Sequence, residues 1–164
     1  MTLNKTGCLK MPDKQRGHEF TKINLRKRKA LDTNPKTCSG CRICEMICCL
    51  SHEGEIDPGK SRISIRSNPF KGSFVPQVCR HCSDVPCMQV CEASAIQIRE
   101  EDGTVFIDDE ICRGCKLCEK ECPFGAIKFD SIRKKAFKCD FCRGNPQCIA
   151  WCPTHSLGIT TFGG

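Results

Sequence analysis

Tyrosine is absent from the 164 residues, tryptophan occurs once, and long apolar runs are missing altogether. The longest runs, "MICCL" (46–50) and "CIAWC" (148–152), have five residues each. A membrane-spanning helix needs about 20 consecutive apolar residues, so no span is expected. A secretory leader needs an apolar stretch behind its basic start, and none follows here. The basic "LRKRKA" (25–30) has no adjacent arginine pair and no apolar stretch after it, so it is not a twin-arginine signal. Glycine-rich nucleotide loops, nucleophile–base pairings and open carboxylate or histidine metal sites are also missing, so no catalytic residue is expected. Leu, Ile, Val and Phe together make up only about 21% of the chain, near the level at which chains fail to build a core. Disulfides or metals must do the organising. With no sign of export, the expectation is a cytoplasmic protein with reduced thiols, where regularly spaced cysteines mean metal.

Cysteine is what the chain has instead: 18 residues, most of them in four repeats. "CSGCRICEMIC" begins at Cys38, "CRHCSDVPCMQVC" at Cys79, "CRGCKLCEKEC" at Cys112 and "CDFCRGNPQCIAWC" at Cys139. The third motif, Cys112, Cys115, Cys118 and Cys122 followed by Pro123, has the C-x2-C-x2-C-x3-C-P spacing of a bacterial ferredoxin run. In such a run three thiolates wrap one [4Fe-4S] cluster from a tight loop. The fourth, on the next helical turn, serves a neighbouring cluster. Gly114 would let the loop curl close to the iron. Motif one (Cys38, Cys41, Cys44, Cys48) keeps the spacing without the proline. Motif two (Cys79, Cys82, Cys87, Cys91) and motif four (Cys139, Cys142, Cys148, Cys152) lengthen the second gap with the turn formers "SDVP" and "RGNPQ". Zinc ribbons pair two CxxC units across a long gap and do not need a third and fourth cysteine close behind each. Four [4Fe-4S] clusters are therefore expected on these sixteen residues.

Each motif predicts a loop and one short helical turn. "AIQIREEDGTVFID" (95–108) alternates around an Asp-Gly turn and predicts a hairpin, as does "AIKFDSIRKKAFK" (126–138). "RISIR" (62–66) predicts a further short strand. Residues 1–36 show no strand alternation and predict an extended basic arm with a short helix near 22–31. The cysteine-rich body is assigned to 37–164, giving a loop-rich α+β fold. The arm holds ten Lys/Arg against three Asp/Glu, which accounts for the whole net charge of +7. Basic charge confined to an arm is no case for nucleic-acid binding.

"CRHC…PC…VC", "CRGCKLCEKECPFGAI" and "KCDFC…NPQCIAWCP" resemble the four-cluster ferredoxin-like subunits of molybdenum and tungsten oxidoreductases, such as formate dehydrogenases and the dimethyl sulfoxide reductase group. With "SHEGEIDPGKSRI" (51–63), the chain looks most similar to the small iron–sulfur subunits of tungsten aldehyde oxidoreductases and tungsten benzoyl-CoA reductase. The resemblance covers residues 36 to about 160. It implies a tandem of two ferredoxin-like modules, pairing motifs 38–48 with 139–152 and 79–91 with 112–122. The implied ligand sets are Cys38, Cys41, Cys44 with Cys152; Cys139, Cys142, Cys148 with Cys48; Cys79, Cys82, Cys87 with Cys122; and Cys112, Cys115, Cys118 with Cys91. Either Cys48 or Cys49 could supply the crossing ligand of motif one, the spacing favouring Cys48. The chain departs from the family at His155, where glycine is usual, and at Glu92, where proline is common.

The resemblance implies a non-catalytic electron-transfer subunit, passing electrons between a larger tungsten- or molybdenum-pterin subunit and a flavin/NAD subunit or a ferredoxin. A self-assembling conducting filament and a freestanding polyferredoxin are the alternative expectations. Among the remaining residues, Cys8 reads as a free thiol and Cys49 as a small buried hydrophobe. His81 reads as a hydrogen-bond donor or a solvent-facing residue, and Phe141 and Trp151 as packing that keeps water from a cluster. The "RKK" run (133–135) reads as a solvated turn.

Overall fold

The computed structural model describes residues 28–162. Most of the expected arm, with Cys8, lies outside them. The elements run β1 (Arg28–Thr33), α1 (Ile43–Glu53), a 3-10 turn at Pro58–Lys60, β2 (Ile63–Asn68), β3 (Ser73–Val78), α2 (Pro86–Gln89), β4 (Ile96–Ile98) and β5 (Val105–Ile107). They continue with α3 (Leu117–Glu121), β6 (Lys128–Asp130), β7 (Lys135–Phe137), a 3-10 turn at Phe141–Gly144, α4 (Gln147–Ala150) and β8 (Leu157–Phe162).

The strands form four antiparallel two-stranded ribbons: β1 with β8, β2 with β3, β4 with β5, and β6 with β7. Three are hairpins between neighbours in sequence. The fourth ties the two ends of the described chain together, with Arg28 opposite Phe162 and Thr33 opposite Leu157. Residues 28–33 are thus a strand, not the helix or extended arm the sequence suggested. "RKALDT" lacks clean alternation, and its two fully buried apolar residues, Ala30 and Leu31, are adjacent. Its pairing depends on a partner almost 130 residues away, which no local pattern can report.

The expected helical turns are present within motifs two, three and four, around the third cysteine, as helices of four or five residues. In motif one the helix begins before the third cysteine and runs eleven residues, past Cys48. It ends where Gly54, in the left-handed region at φ 74°, donates its N–H to the Leu50 carbonyl. Helix α1 lies against α4 and α2 against α3. Two buried clusters result. One gathers Leu31, Ile63, Ile65, Val78, Phe141 and Leu157 around cysteines of motifs one and four together with Cys79. The other gathers Val85, Ile96, Val105 and Ile127 around Cys112 and Cys118.

The β6–β7 turn is not simply solvated. Asp130 accepts the N–H groups of Ile132 and Arg133, and its second oxygen pairs with Arg133 Nε at 2.6 Å. Arg133 also reaches Glu53 at the end of α1, and Lys135 Nζ donates to the Cys112 carbonyl. Two of the three cations of "RKK" therefore brace the fold.

Candidate metal centres

The same backbone path recurs in all four motifs. The residue before the second cysteine has a left-handed φ each time: Gly40 (73°), His81 (48°), Gly114 (69°) and Phe141 (62°). This reversal turns the loop inward so that successive thiols converge. Glycine accepts the conformation freely, whereas other residues lose about 1–2 kcal/mol in it. Two bulky, fully buried side chains, His81 and Phe141, adopt it as well, so the surrounding fold holds these loops in a conformation that their own residues disfavour. Gly114 has a second reason to be small, since a β-carbon there would overlap the Lys134 carbonyl. Gly114→Ala should therefore cost at least the left-handed penalty of about 1–2 kcal/mol, read as a lower denaturant midpoint for the loaded protein.

The four loops and four crossing cysteines assemble into cages. Cys38, Cys41 and Cys44 share a pocket with Cys152. Cys79, Cys82 and Cys87 share another with Cys122. Cys118 interacts with Cys112 and Cys115 of its own loop and with Cys91. Cys148 interacts with Cys142 and Cys48, and Cys139 with Cys148. Thiols also couple between cages: Cys44 with Cys148, Cys79 with Cys139, and Cys87 with Cys118. The cages thus form a row whose inner members are the Cys139 and Cys79 loops.

All 17 described cysteines are free thiols. Burial pushes Cys44, Cys118 and Cys148 up to about 12 and Cys87 to about 11, with neighbouring sulfurs adding to it. Groups of four thiols that converge in apolar surroundings, unoxidised and short of hydrogen-bond acceptors, suit a soft multinuclear metal centre. The donor set therefore fits iron–sulfur clusters.

The crossing cysteines are dressed with donors. Cys48 Sγ accepts the Arg62 N–H at 3.3 Å, Cys91 the Ala95 N–H at 3.3 Å and Cys122 the Ala126 N–H at 3.4 Å. Cys152 lies 3.4 Å from Ser156 Oγ; although burial opposes it, hydrogen bonds from Ser156 and Thr154 bring this thiol down to about 7. The N–H geometry needs a left-handed residue three places after the cysteine: Ser94 (55°), Gly125 (55°) and His155 (49°). His155 thus occupies a position where glycine would sit without strain.

Cys48 and Cys49 part company in space. Cys48 faces Cys148 in the cage, whereas Cys49, fully buried, donates its S–H to the Asp57 carbonyl at 2.8 Å. His81 is neither solvent-facing nor a ring donor to any acceptor. It is buried, its Nδ1 accepts the Val105 N–H at 3.2 Å, and burial keeps it neutral, its pKa well below the usual range. Phe141 is buried edge-on to His81, but Trp151 is 59% exposed and does not act as the expected shield.

Sequence reasoning missed one network. His52 Nε2–H donates to Asp140 at 3.0 Å and Nδ1–H to the Cys48 carbonyl at 2.9 Å, while Arg62 pairs with the other Asp140 oxygen at 3.1 Å. The Asp140 carboxylate holds His52 as an imidazolium, up to about 12. With both ring nitrogens donating, His52 has no lone pair left for metal. Asp140 stands 88 residues away, so no motif linked them.

Thiol cages held by short hairpins define an iron–sulfur protein of ferredoxin-like architecture. The chain belongs to the 4Fe-4S dicluster domain family, which it matches over residues 70–161, leaving motif one outside the match. Among its relatives is the polyferredoxin-like subunit of the aliphatic sulfonate oxidoreductase of Pyrococcus furiosus, 39% identical over 124 residues spanning 76% of this chain and 70% of that protein. Formate hydrogenlyase subunit 2 of Escherichia coli is 31% identical over 74% of this chain and 76% of its own length. A chain of the benzoyl-coenzyme A reductase BamBC complex with 1,5-dienoyl-CoA shares the fold, with a TM-score of 0.50 and 23% identity over 83% of this chain and 77% of that one.

Proposed function

We propose that the chain is an electron-transfer subunit with four [4Fe-4S] clusters, one in each cage, built as two ferredoxin-like modules on a body that follows the basic N-terminal segment. It passes electrons between a larger tungsten- or molybdenum-pterin subunit, of the kind that oxidises aldehydes or handles an acyl-CoA, and a flavin/NAD subunit or ferredoxin in the cytoplasm. The observation that carries the reading is the row of four converging thiol quartets, each coupled to the next. A relative named as a polyferredoxin-like oxidoreductase subunit supports it.

Bound clusters supply reversible one-electron chemistry. The chain's own residues do the rest. Cys48, Cys91, Cys122 and Cys152 hook each loop to its partner loop and keep the cages adjacent. The N–H groups of Arg62, Ala95 and Ala126 favour added negative charge on the sulfurs they touch. Ile65, Val85, Phe141 and Ile127 exclude water. No residue is assigned a role in bond making, and catalysis belongs to the partner.

The test is elemental analysis after anaerobic native purification. Roughly sixteen irons and as many acid-labile sulfides per chain are expected, with tungsten or molybdenum in a co-purifying larger chain. Zinc without sulfide would end the cluster assignment. A pH dependence follows too. Thiols carry protons at neutral pH, whether burial holds them near 12 in the fold or they stand at about 8.5 in an unfolded chain, and ligation must displace them, so loading strengthens as pH rises. At limiting iron, reconstitution at pH 9 should yield more of the visible iron–sulfur absorption than at pH 7. Equal yields would mean the thiols are already ionised.

A further inference from the structure

Two cations are buried against one of the inner cages. Lys138 is 2% exposed; its Nζ sits 3.4 Å from Cys79 Sγ and donates to the Cys139 carbonyl at 3.1 Å and to that of Val105. Arg28 is 1% exposed and donates through Nη1 to the Cys82 carbonyl at 2.9 Å and the Ser83 carbonyl at 3.3 Å. Its Nε and Nη2 are buried without an acceptor. Among the described residues no carboxylate pairs with either side chain. Burying an unpaired cation is costly, so negative charge nearby must offset it. The nearest candidate is the cage itself.

The other cages are differently furnished. At the first, the buried Glu45 lies next to Cys44 and is paired by Arg42. At the Cys139 cage, Asp140 offsets one of the two cations paired with it, His52 and Arg62, and all three side chains keep some contact with solvent, which screens the remaining charge. At the Cys112 cage, Lys135 touches only a backbone carbonyl and is partly exposed, where solvent screens it. Among the described residues, only the cage of Cys79, Cys82, Cys87 and Cys122 has a fully buried cation against a sulfur and a second on its loop with no carboxylate paired to either; at Cys139, Lys138 reaches only the backbone carbonyl.

We propose that Lys138 and Arg28 make this cage the highest-potential site of the row, the place where a travelling electron comes to rest. The proposal rests on the electron-transfer reading above. The step is the transfer of one electron from a neighbouring cage, which is oxidised, to this one, which is reduced. No bond is made or broken. The two fixed positive charges stabilise the added electron in a region where solvent screening is weak.

The test is a redox titration of the fully loaded chain followed by electron paramagnetic resonance, in wild type, Lys138→Gln, Lys138→Arg and Arg28→Gln. Glutamine retains an N–H donor for the carbonyls while removing the charge. Lys138→Gln and Arg28→Gln should each lower the highest of the midpoints and leave the others in place, by about 59 mV for every tenfold loss in the equilibrium constant for one-electron reduction. Lys138→Arg should leave it near the wild-type value. Midpoints that do not move, or movement of a lower midpoint instead, would overturn the proposal. Iron loss in Lys138→Gln leaves Arg28→Gln to decide; iron loss in both would make these side chains structural and overturn it as well. A wild-type chain without iron and sulfide would instead defeat the parent reading, and this inference with it.

Discussion

Replacing Cys48 by serine should remove about four irons from the chain, whereas replacing its neighbour Cys49 should remove none. The two residues are adjacent, both buried, and chemically identical. The α-helix separates them, since consecutive side chains diverge by about 100°. Cys48 projects towards Cys148 and accepts an N–H from Arg62, and burial is outweighed there by contacts with His52 and Arg62 that lower its pKa. Cys49 projects towards the loop before β2, donates to a carbonyl, and is raised by burial. Cys49→Ser exchanges one weak donor for a stronger one of similar size. Iron, sulfide and the visible spectrum of the two purified variants decide the matter. Four irons lost from the Cys49 variant, with none lost from the Cys48 variant, would reverse the assignment.

Removing the metal should unfold the protein. Six of the thirteen buried residues in the larger core are cysteines, which leaves few aliphatic groups to hold it together. Helices α2, α3 and α4 have only four or five residues, and four of the strands have three. Such short helices and isolated two-stranded ribbons are marginal in water. A structural metal site contributes on the order of 10 kcal/mol to folding, comparable to the whole net stability of a typical domain, about 5–15 kcal/mol. Anaerobic chelation with thiols kept reduced should therefore abolish the far-ultraviolet circular dichroism of the helices and leave the amides of β4–β5 and β6–β7 open to exchange. A metal-free chain that kept its dichroism and its exchange protection would show that side-chain packing suffices.

The hairpins at 95–108 and 126–138 and the strand at 62–66 were legible because alternation and turn residues lie close together in sequence. The length of α1 was not, since Cys91 also lacks a following proline and α2 still stops at Gln89. The strand at 28–33 was not, because its hydrogen bonds are made with 157–162 and its own pattern is irregular. The exposure of Trp151 was also hidden: a residue next to a ligand can face either way, and only the packing of α4 against α1 decides which. His52 with Asp140, and Lys138 with Cys79, belong to the same class, as pairs joined through space with nothing in the spacing to announce them.

Cysteine spacing alone marked out the four thiol loops, because a loop that bends three thiols towards one point is specified within a dozen residues. Tertiary structure alone set Cys48 towards Cys148 and Cys49 towards the Asp57 carbonyl, ordered the cages in their row, and placed buried Lys138 and Arg28 against one of them. These depend on distances between segments far apart in the chain. Charge acts through space in a poorly screened interior, and the linear order of residues carries no record of those distances.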